Sequence, residues 1–289
     1  MSAKKEIEIY DPNAFTDRFM EPVFKSILKP GIGKFFIVRV EDMYRHVTHA
    51  VPASRGTTHS CLYLTEGEAI MKIGSECYTI HKDEMLFVPA GQVFSFEPGQ
   101  VNKGYFCNFH SDILAGEHGK FEFLQVWGNP LIRLDVQRSQ FVLHLFRRML
   151  LDYTQDGAVI QPYLVTLLSE VKQSYQPLSA TNQPLVNRFK ELIFSKIKIL
   201  HQVSDYASLL NITPNHLNKT VKAITGKSPT KWIDEAIVQE AKALLTQSDH
   251  TIREVANEVG FEDPSYFTRL FKKYEGIPPS DFRKMIEKS

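Results

Sequence analysis

From Val203 to Phe282 the sequence runs twice through one pattern of apolar and turn residues, about 50 residues apart, and a repeat of that length dictates architecture before any single residue does. Val203, Ala207, Leu210 and Ile212 match Ile252, Ala256, Val259 and Phe261 at an offset of 49. Pro214, Leu217, Val221, Gly226, Pro229 and Trp232 then match Pro264, Phe267, Phe271, Gly276, Pro279 and Phe282 at an offset of 50. The extra residue falls in the stretch Phe261-Glu262-Asp263, because a loop absorbs an insertion most easily. Each copy predicts a short helix, a break, and a second helix that starts near a proline and stops at a glycine. Thr251 with Glu254 three residues on forms a capping box, and Gly260 supplies the positive φ that ends a helix.

Helix, tight turn and helix is the helix-turn-helix pattern, whose second helix lies in the DNA major groove. A small Ala207 or Ala256 in the first helix lets the second approach closely. At 100° per residue, Phe267, Leu270, Phe271 and Tyr274 share one face of the second copy's second helix, with Ser265, Thr268, Arg269 and Lys272 opposite. In the first copy Leu217, Val221 and Ile224 turn inward, and Asn215, Asn218, Lys219 and Lys222 take the same outward positions. Any amphipathic helix has a polar face. Two in the same register, each beginning with short hydrogen-bonding side chains and ending in cations, suit base edges and phosphates. Residues 229–246 between the copies read as one long helix, a rigid spacer that sets two recognition helices about one DNA turn, roughly 34 Å, apart.

Upstream the rhythm is different. From Phe35 to about Phe109, β-branched and aromatic residues alternate with polar ones, and Gly or Pro punctuates every eight to twelve residues, as in an antiparallel sandwich or barrel. Amphipathic helices follow at about 137–153, with Phe141, Leu145 and Met149 as its stripe, and at 162–175, with Leu164, Leu167, Leu168 and Val171. These stripes bury against the barrel or against a second subunit. Residues 176–184, rich in Pro, Ser, Thr and Asn, read as a linker. The fold expected is therefore α+β in two domains: an antiparallel β-barrel with appended helices over 1–175, and an all-α domain of two helix-turn-helix units joined by a long helix over 185–289.

Formal net charge is +1, yet residues 185–289 hold 16 Lys and Arg against 13 Asp and Glu, leaving 18 against 20 before them. That asymmetry is compatible with DNA binding but too weak to establish it. Met1 is followed by Ser-Ala-Lys-Lys-Glu, and no run of about 18 apolar residues occurs, so neither a signal peptide nor a membrane span is expected, and the location expected is cytoplasmic. Cys61, Cys77 and Cys107 form no CxxC pair and are expected to be small buried hydrophobes. No nucleophile elbow, phosphate loop or dinucleotide fingerprint is present, and no catalytic residue is assigned.

Residues 251–284 closely resemble the DNA-binding domain of the AraC/XylS family of bacterial transcription regulators, and the likeness runs more weakly through the first copy. The family pattern is met at Ile252, Glu254, Ala256, Gly260, Phe261, Asp263, Ser265, Tyr266, Phe267, Arg269, Phe271, Lys272, Gly276, Pro279 and Arg283. Many members carry an arginine in the long helix where this chain has Ala236 and Ile237. By family position the resemblance implies base-facing roles for Asn215, Asn218 and Lys219, and for Pro264, Ser265, Thr268 and Arg269. It implies flanking contacts for His216, Lys222, Tyr266 and Lys272. Double-stranded DNA, a small-molecule effector, a homodimer and RNA polymerase are the partners implied.

Members often carry a cupin-like barrel before this domain, and the strand rhythm here is similar to one. Cupin enzymes hold a metal through two motifs. The nearest first match is Gly56, His59, Cys61 and Glu66, and the second retains Pro89 and Gly91 but has Phe94 where a histidine ligand belongs. A metal-free barrel without a cofactor is expected, with Tyr63, Phe87, Phe94, Phe96 and Phe106 as candidate apolar wall and His59 as candidate polar anchor of an effector pocket. Ordinary core packing explains the rings equally well. A metal-dependent cupin enzyme fused to a DNA-binding domain, and an architectural DNA-binding protein without an effector, are the competing readings.

Overall fold

Short alternating segments form strands in the first part of the computed structural model, and the strand pairs with a defined register run antiparallel. The structure describes residues 34–45, 51–96, 102–114, 120–126, 128–155, 159–176 and 183–287. The N-terminal residues that bear on a leader peptide, and residues 177–182 of the expected linker, lie outside these. Among the described residues, β1 (Phe35–Arg39), β8 (Lys103–Phe109), β3 (His59–Glu66), β6 (Glu84–Val88) and β9 (Leu131–Arg133) make a five-stranded sheet in that order. A second sheet runs β2 (Val51–Arg55), β7 (Val93–Phe96), β4 (Glu68–Ile73) and β5 (Glu76–His81). One core joins them, with Phe36, Val38 and Leu62 of the first sheet in the same cluster as Met71, Ile73 and Phe96 of the second. Gly104 permits a close approach: a Cβ there would stand 2.0 Å from the Tyr63 carbonyl oxygen, beside the bulge between Leu64 and Glu66.

A short helix, α1 (Val40–Tyr44), follows β1, and two longer ones, α2 (Val136–Gln155) and α3 (Ile160–Ser174), follow the strands. In α3 the buried side chains include Leu164, Leu167, Leu168 and Val171, as expected. In α2 Met149 is buried as expected, but the two turns before it are displaced by one position. Ser139, Val142, Phe146, Met149 and Tyr153 are buried, whereas Phe141 is 45% exposed and Leu145 only partly covered. The sheet decides this choice, because Phe146 stacks on Tyr63 (5.4 Å, 8°) and on Tyr105 (5.1 Å, 11°). Of the cysteines, Cys61 and Cys107 face each other across β3 and β8 and are buried, but Cys77 is exposed. Burial pushes the Cys61 thiol well up, so it behaves as a hydrophobe.

The second part is all helix: α4 (Gln183–Lys196), α5 (Val203–Leu209), α6 (Pro214–Thr225), α7 (Pro229–Gln247), α8 (Ile252–Glu258), α9 (Pro264–Glu275) and α10 (Pro279–Glu287). The chain divides into two compact units, one containing Ser179–Ser289 with Pro52–Ser54, the other containing Arg55–Leu178. The helical unit has its own core, in which Phe189, Tyr206, Leu217, Ile233, Leu244, Phe267 and Phe271 meet. No helix among the described residues is long and apolar enough to cross a membrane.

Candidate nucleic-acid interface

Each half of the repeat folds as helix, turn and helix: α5 with α6, and α8 with α9. In the second, Thr251 Oγ1 accepts from the Glu254 N–H (3.2 Å), and Glu254 accepts from the Thr251 N–H (2.7 Å), which closes the expected capping box. The turn after α8 passes through Gly260 at φ 85°, and the matching position after α5 is Asn211 at φ 54°. Asparagine is among the few side chains that enter this region readily. The next N–H folds back in both copies, from Ile212 to the Ala207 carbonyl (3.0 Å) and from Phe261 to the Ala256 carbonyl (2.9 Å). Ala207 and Ala256 are fully buried beneath the second helix.

The second helices start alike. Thr213 accepts from the His216 N–H (3.2 Å) before Pro214, and Asp263 accepts from the Ser265 N–H (2.8 Å) before Pro264. Proline is suited to this first position, where the N–H has no intrahelical partner. Both helices stop at a left-handed glycine, Gly226 (φ 72°) and Gly276 (φ 77°). From the second residue onward the two repeat the same order of exposed, partly covered and buried positions. Leu217 and Val221, like Phe267 and Phe271, are fully buried, with Ile224 and Tyr274 partly so.

Facing solvent on α6 are Asn215, His216, Lys219 and Lys222, and on α9 Ser265, Tyr266, Arg269 and Lys272; Asn218, Thr268 and Pro264 are partly covered, and Pro214 is exposed. Asn218 Nδ2 donates to the Pro214 carbonyl (3.0 Å) and Thr268 Oγ1 to the Pro264 carbonyl (2.8 Å), the same bond 50 residues apart. Both side chains thus lie along the helix with acceptor capacity left over. The far ends are pinned to α7. Tyr274 donates to Asp234 (2.8 Å), Lys242 pairs with Glu275 (2.7 Å), and Trp232 Nε1 donates to Thr225 (3.0 Å). Burial first, then the Asp234 carboxylate, raises the Tyr274 pKa, which keeps it a donor. Beside the second unit a cavity of about 330 Å³ opens between His201, Asp234, Ile237, Phe261, Asp263 and Tyr266.

In the β part, the six candidate effector residues divide between opposite faces of the strands. His59, Tyr63 and Phe87 share a face, since Cα register pairs Cys61 with Phe87 and Tyr63 with Tyr105. That face is covered by helices and turns: Tyr63 bonds Ser139 and stacks on Phe146, and Phe87 packs on Phe123. His59 Nδ1 accepts from the Ala90 N–H (3.1 Å), which leaves the ring proton on Nε2 to be donated to Ser111 Oγ (3.0 Å). The expected polar anchor is therefore committed to the scaffold. Phe94, Phe96 and Phe106 lie on the other face, between the sheets, where Phe106 meets Phe36 and Phe96 meets Tyr44. Glu66, at the far end of β3, pairs with Lys103 (2.7 Å), and no group of three metal-ligating side chains occurs among the described residues.

Comparison with known proteins adds a sequence match over this interface. Residues 206–285 match a family model described as a helix-turn-helix domain. The chain is 29% identical over 181 residues to an uncharacterised helix-turn-helix transcriptional regulator, YisR, of Bacillus subtilis, covering 61% of this chain and 62% of that protein. It is 31% identical over 125 residues to the Msm operon regulatory protein of Streptococcus mutans, covering 43% and 45%. It is 28% identical over 133 residues to the arabinose operon regulatory protein of Escherichia coli, covering 45% and 44%. The matched stretches span less than two thirds of the length of each of these relatives. With the tandem helix-turn-helix geometry and the motif of residues 251–284, these matches show a helix-turn-helix domain over residues 206–285 and a chain similar to helix-turn-helix transcription regulators.

Proposed function

We propose that the chain is a sequence-specific DNA-binding transcription regulator in which residues 185–289 grip the duplex and residues 1–175 form an effector-binding, dimerising domain, joined through 176–184. The observation that carries this reading is the matched outward register of α6 and α9. Asn215, Asn218 and Lys219 address one half of the site, and Ser265, Thr268 and Arg269 the other. Pro264 sits against the groove wall, and His216, Lys222, Tyr266 and Lys272 flank. Asn suits adenine, and Arg or Lys suits guanine or phosphate.

The role is regulatory rather than enzymatic and is exercised in the cytoplasm. Operon regulators among the relatives support a part in transcription regulation, and the resemblance of residues 251–284 adds activation through RNA polymerase to the reading. The effector is a small molecule, and the wall nearest to hand is the inner-face set Phe94, Phe96 and Phe106. It acts by binding two arrangements of the chain unequally. A dimer raises the local concentration of the second DNA-binding domain once the first is seated.

The test is selection of binding sites from random DNA by the purified full chain. A defined two-part site is expected, and Arg269→Ala is expected to weaken binding by about 1 to 3 kcal/mol while relaxing one base position. Binding without sequence preference would sink this reading in favour of an architectural role.

A further inference from the structure

Tyr266 and Arg269 stand three residues apart on α9, close to one turn, so their side chains are neighbours on the outward face. The Arg269 guanidinium carbon lies 5.9 Å from the centroid of the Tyr266 ring, within reach of the negative face of the aromatic system. Tyr266 is 52% exposed, yet its ring is supported from behind. Phe261 lies 5.5 Å from it, and Phe261 stacks on His201 at 4.6 Å and 23°. His201 Nε2 donates in turn to the Ile197 carbonyl (3.0 Å). A line of three rings therefore runs from the segment after α4 to the outward face of α9. Asp263 adds charge to the same corner: the Ser265 N–H chiefly, and Arg269 among the lesser causes, hold its carboxyl below the usual aspartate range.

We propose that Tyr266 is a positioning residue for Arg269, a ring shelf that holds the guanidinium fork toward the base edge. This rests on the reading of α9 as a recognition helix. An arginine distinguishes guanine when both arms of its planar fork meet O6 and N7 together, and a long side chain free to rotate loses entropy in reaching that pose. The shelf restricts the fork beforehand. At the matching positions of α6 stand His216 and Lys219, and an ammonium has no fork to orient. The two halves of the site are thus read with different strictness by one scaffold. The role also differs from a flanking contact to phosphate, which would use the tyrosine hydroxyl, because a shelf needs only the ring.

The experiment uses the full chain and the DNA site it selects, comparing affinity for that site with affinity for the site altered at the base pair that Arg269→Ala identifies. Tyr266→Ala is expected to lower that discrimination about two- to fivefold. Tyr266→Phe should preserve it, Arg269→Lys should lose it, and Tyr266→Ala should add nothing in the Arg269→Ala background. Equal weakening on every sequence by Tyr266→Ala and Tyr266→Phe alike would overturn the shelf in favour of a phosphate contact. So would an undiminished effect of Tyr266→Ala without Arg269. If Arg269→Ala itself altered no base preference, the recognition role of α9 would fall, and the shelf with it. Thermal melting of each variant checks that the domain remains folded.

Discussion

Gly226 and Gly260 both take positive φ, at 72° and 85°, but would respond differently to an added methyl group. Nothing lies within 4 Å of a Cβ at Gly226, whereas at Gly260 it would meet the Lys198 carbonyl oxygen at 2.6 Å and the His201 ring at 2.8 Å. Gly226→Ala is therefore expected to cost about 1 to 2 kcal/mol, the left-handed penalty alone. Gly260→Ala should cost measurably more, since the segment before α5 must also shift; urea unfolding of the two variants compares them.

Caps make a second residue-scale prediction. Asp263 and Glu254 are both held below the ordinary carboxylate range, first by the backbone N–H groups of Ser265 and Thr251 respectively. The unfolded chain then takes up these protons first, so the stabilisation is complete above the unfolded-state pKa and is lost as pH falls through the folded one. Asp263→Asn keeps an acceptor without the charge. It should flatten the fall of melting temperature below about pH 4, read by circular dichroism. The Thr251 capping box and the glycines that end helices were legible in the sequence because their partners lie within a few residues. The Tyr266 shelf was not, because it depends on where His201 and Phe261 come to rest.

At the scale of elements, α2 illustrates what periodicity leaves open. Phe141 with Leu145, and Val142 with Phe146, are adjacent stripes of similar hydrophobicity on one helix, and only the sheet beneath selects between them. The same limit governs the effector candidates. Alternation separates the two faces of a strand but does not say which one a helix will cover, so Tyr63 and Phe87 were grouped with Phe94 and Phe106 although they point oppositely. The repeat, by contrast, exposed both helix-turn-helix units, since each half supplied the register of the other, though α4 lies outside it. Phe146→Ala is expected to cost about 3 to 5 kcal/mol, for it removes a fully buried ring held between Tyr63 and Tyr105. Phe141→Ala should lie within about 0.5 kcal/mol of the parent in the same unfolding experiment.

At the scale of the whole molecule, if α6 and α9 read DNA as proposed, the long spacer fixes what DNA the chain accepts. The 19 residues of α7 form an unbroken helix, and both recognition helices are pinned to it, α6 through Thr225 with Trp232 and α9 through Tyr274 with Asp234. A connection of this kind does not stretch or swivel as a Gly- and Ser-rich linker would. Inserting about half a helical turn of DNA between the two parts of the selected site should therefore reduce affinity to that of one unit alone, as measured by fluorescence anisotropy. A flexible pair would lose far less.

On the proposed reading of α6 and α9 as recognition helices, their repeated burial order has a further meaning for how such a chain changes over time. Inward residues keep each helix seated, and outward ones are free of that duty, so an alteration in half of a promoter can be matched by substitutions in one helix while the other goes on spelling its old word. The duplication gives the chain two separately editable halves of one address.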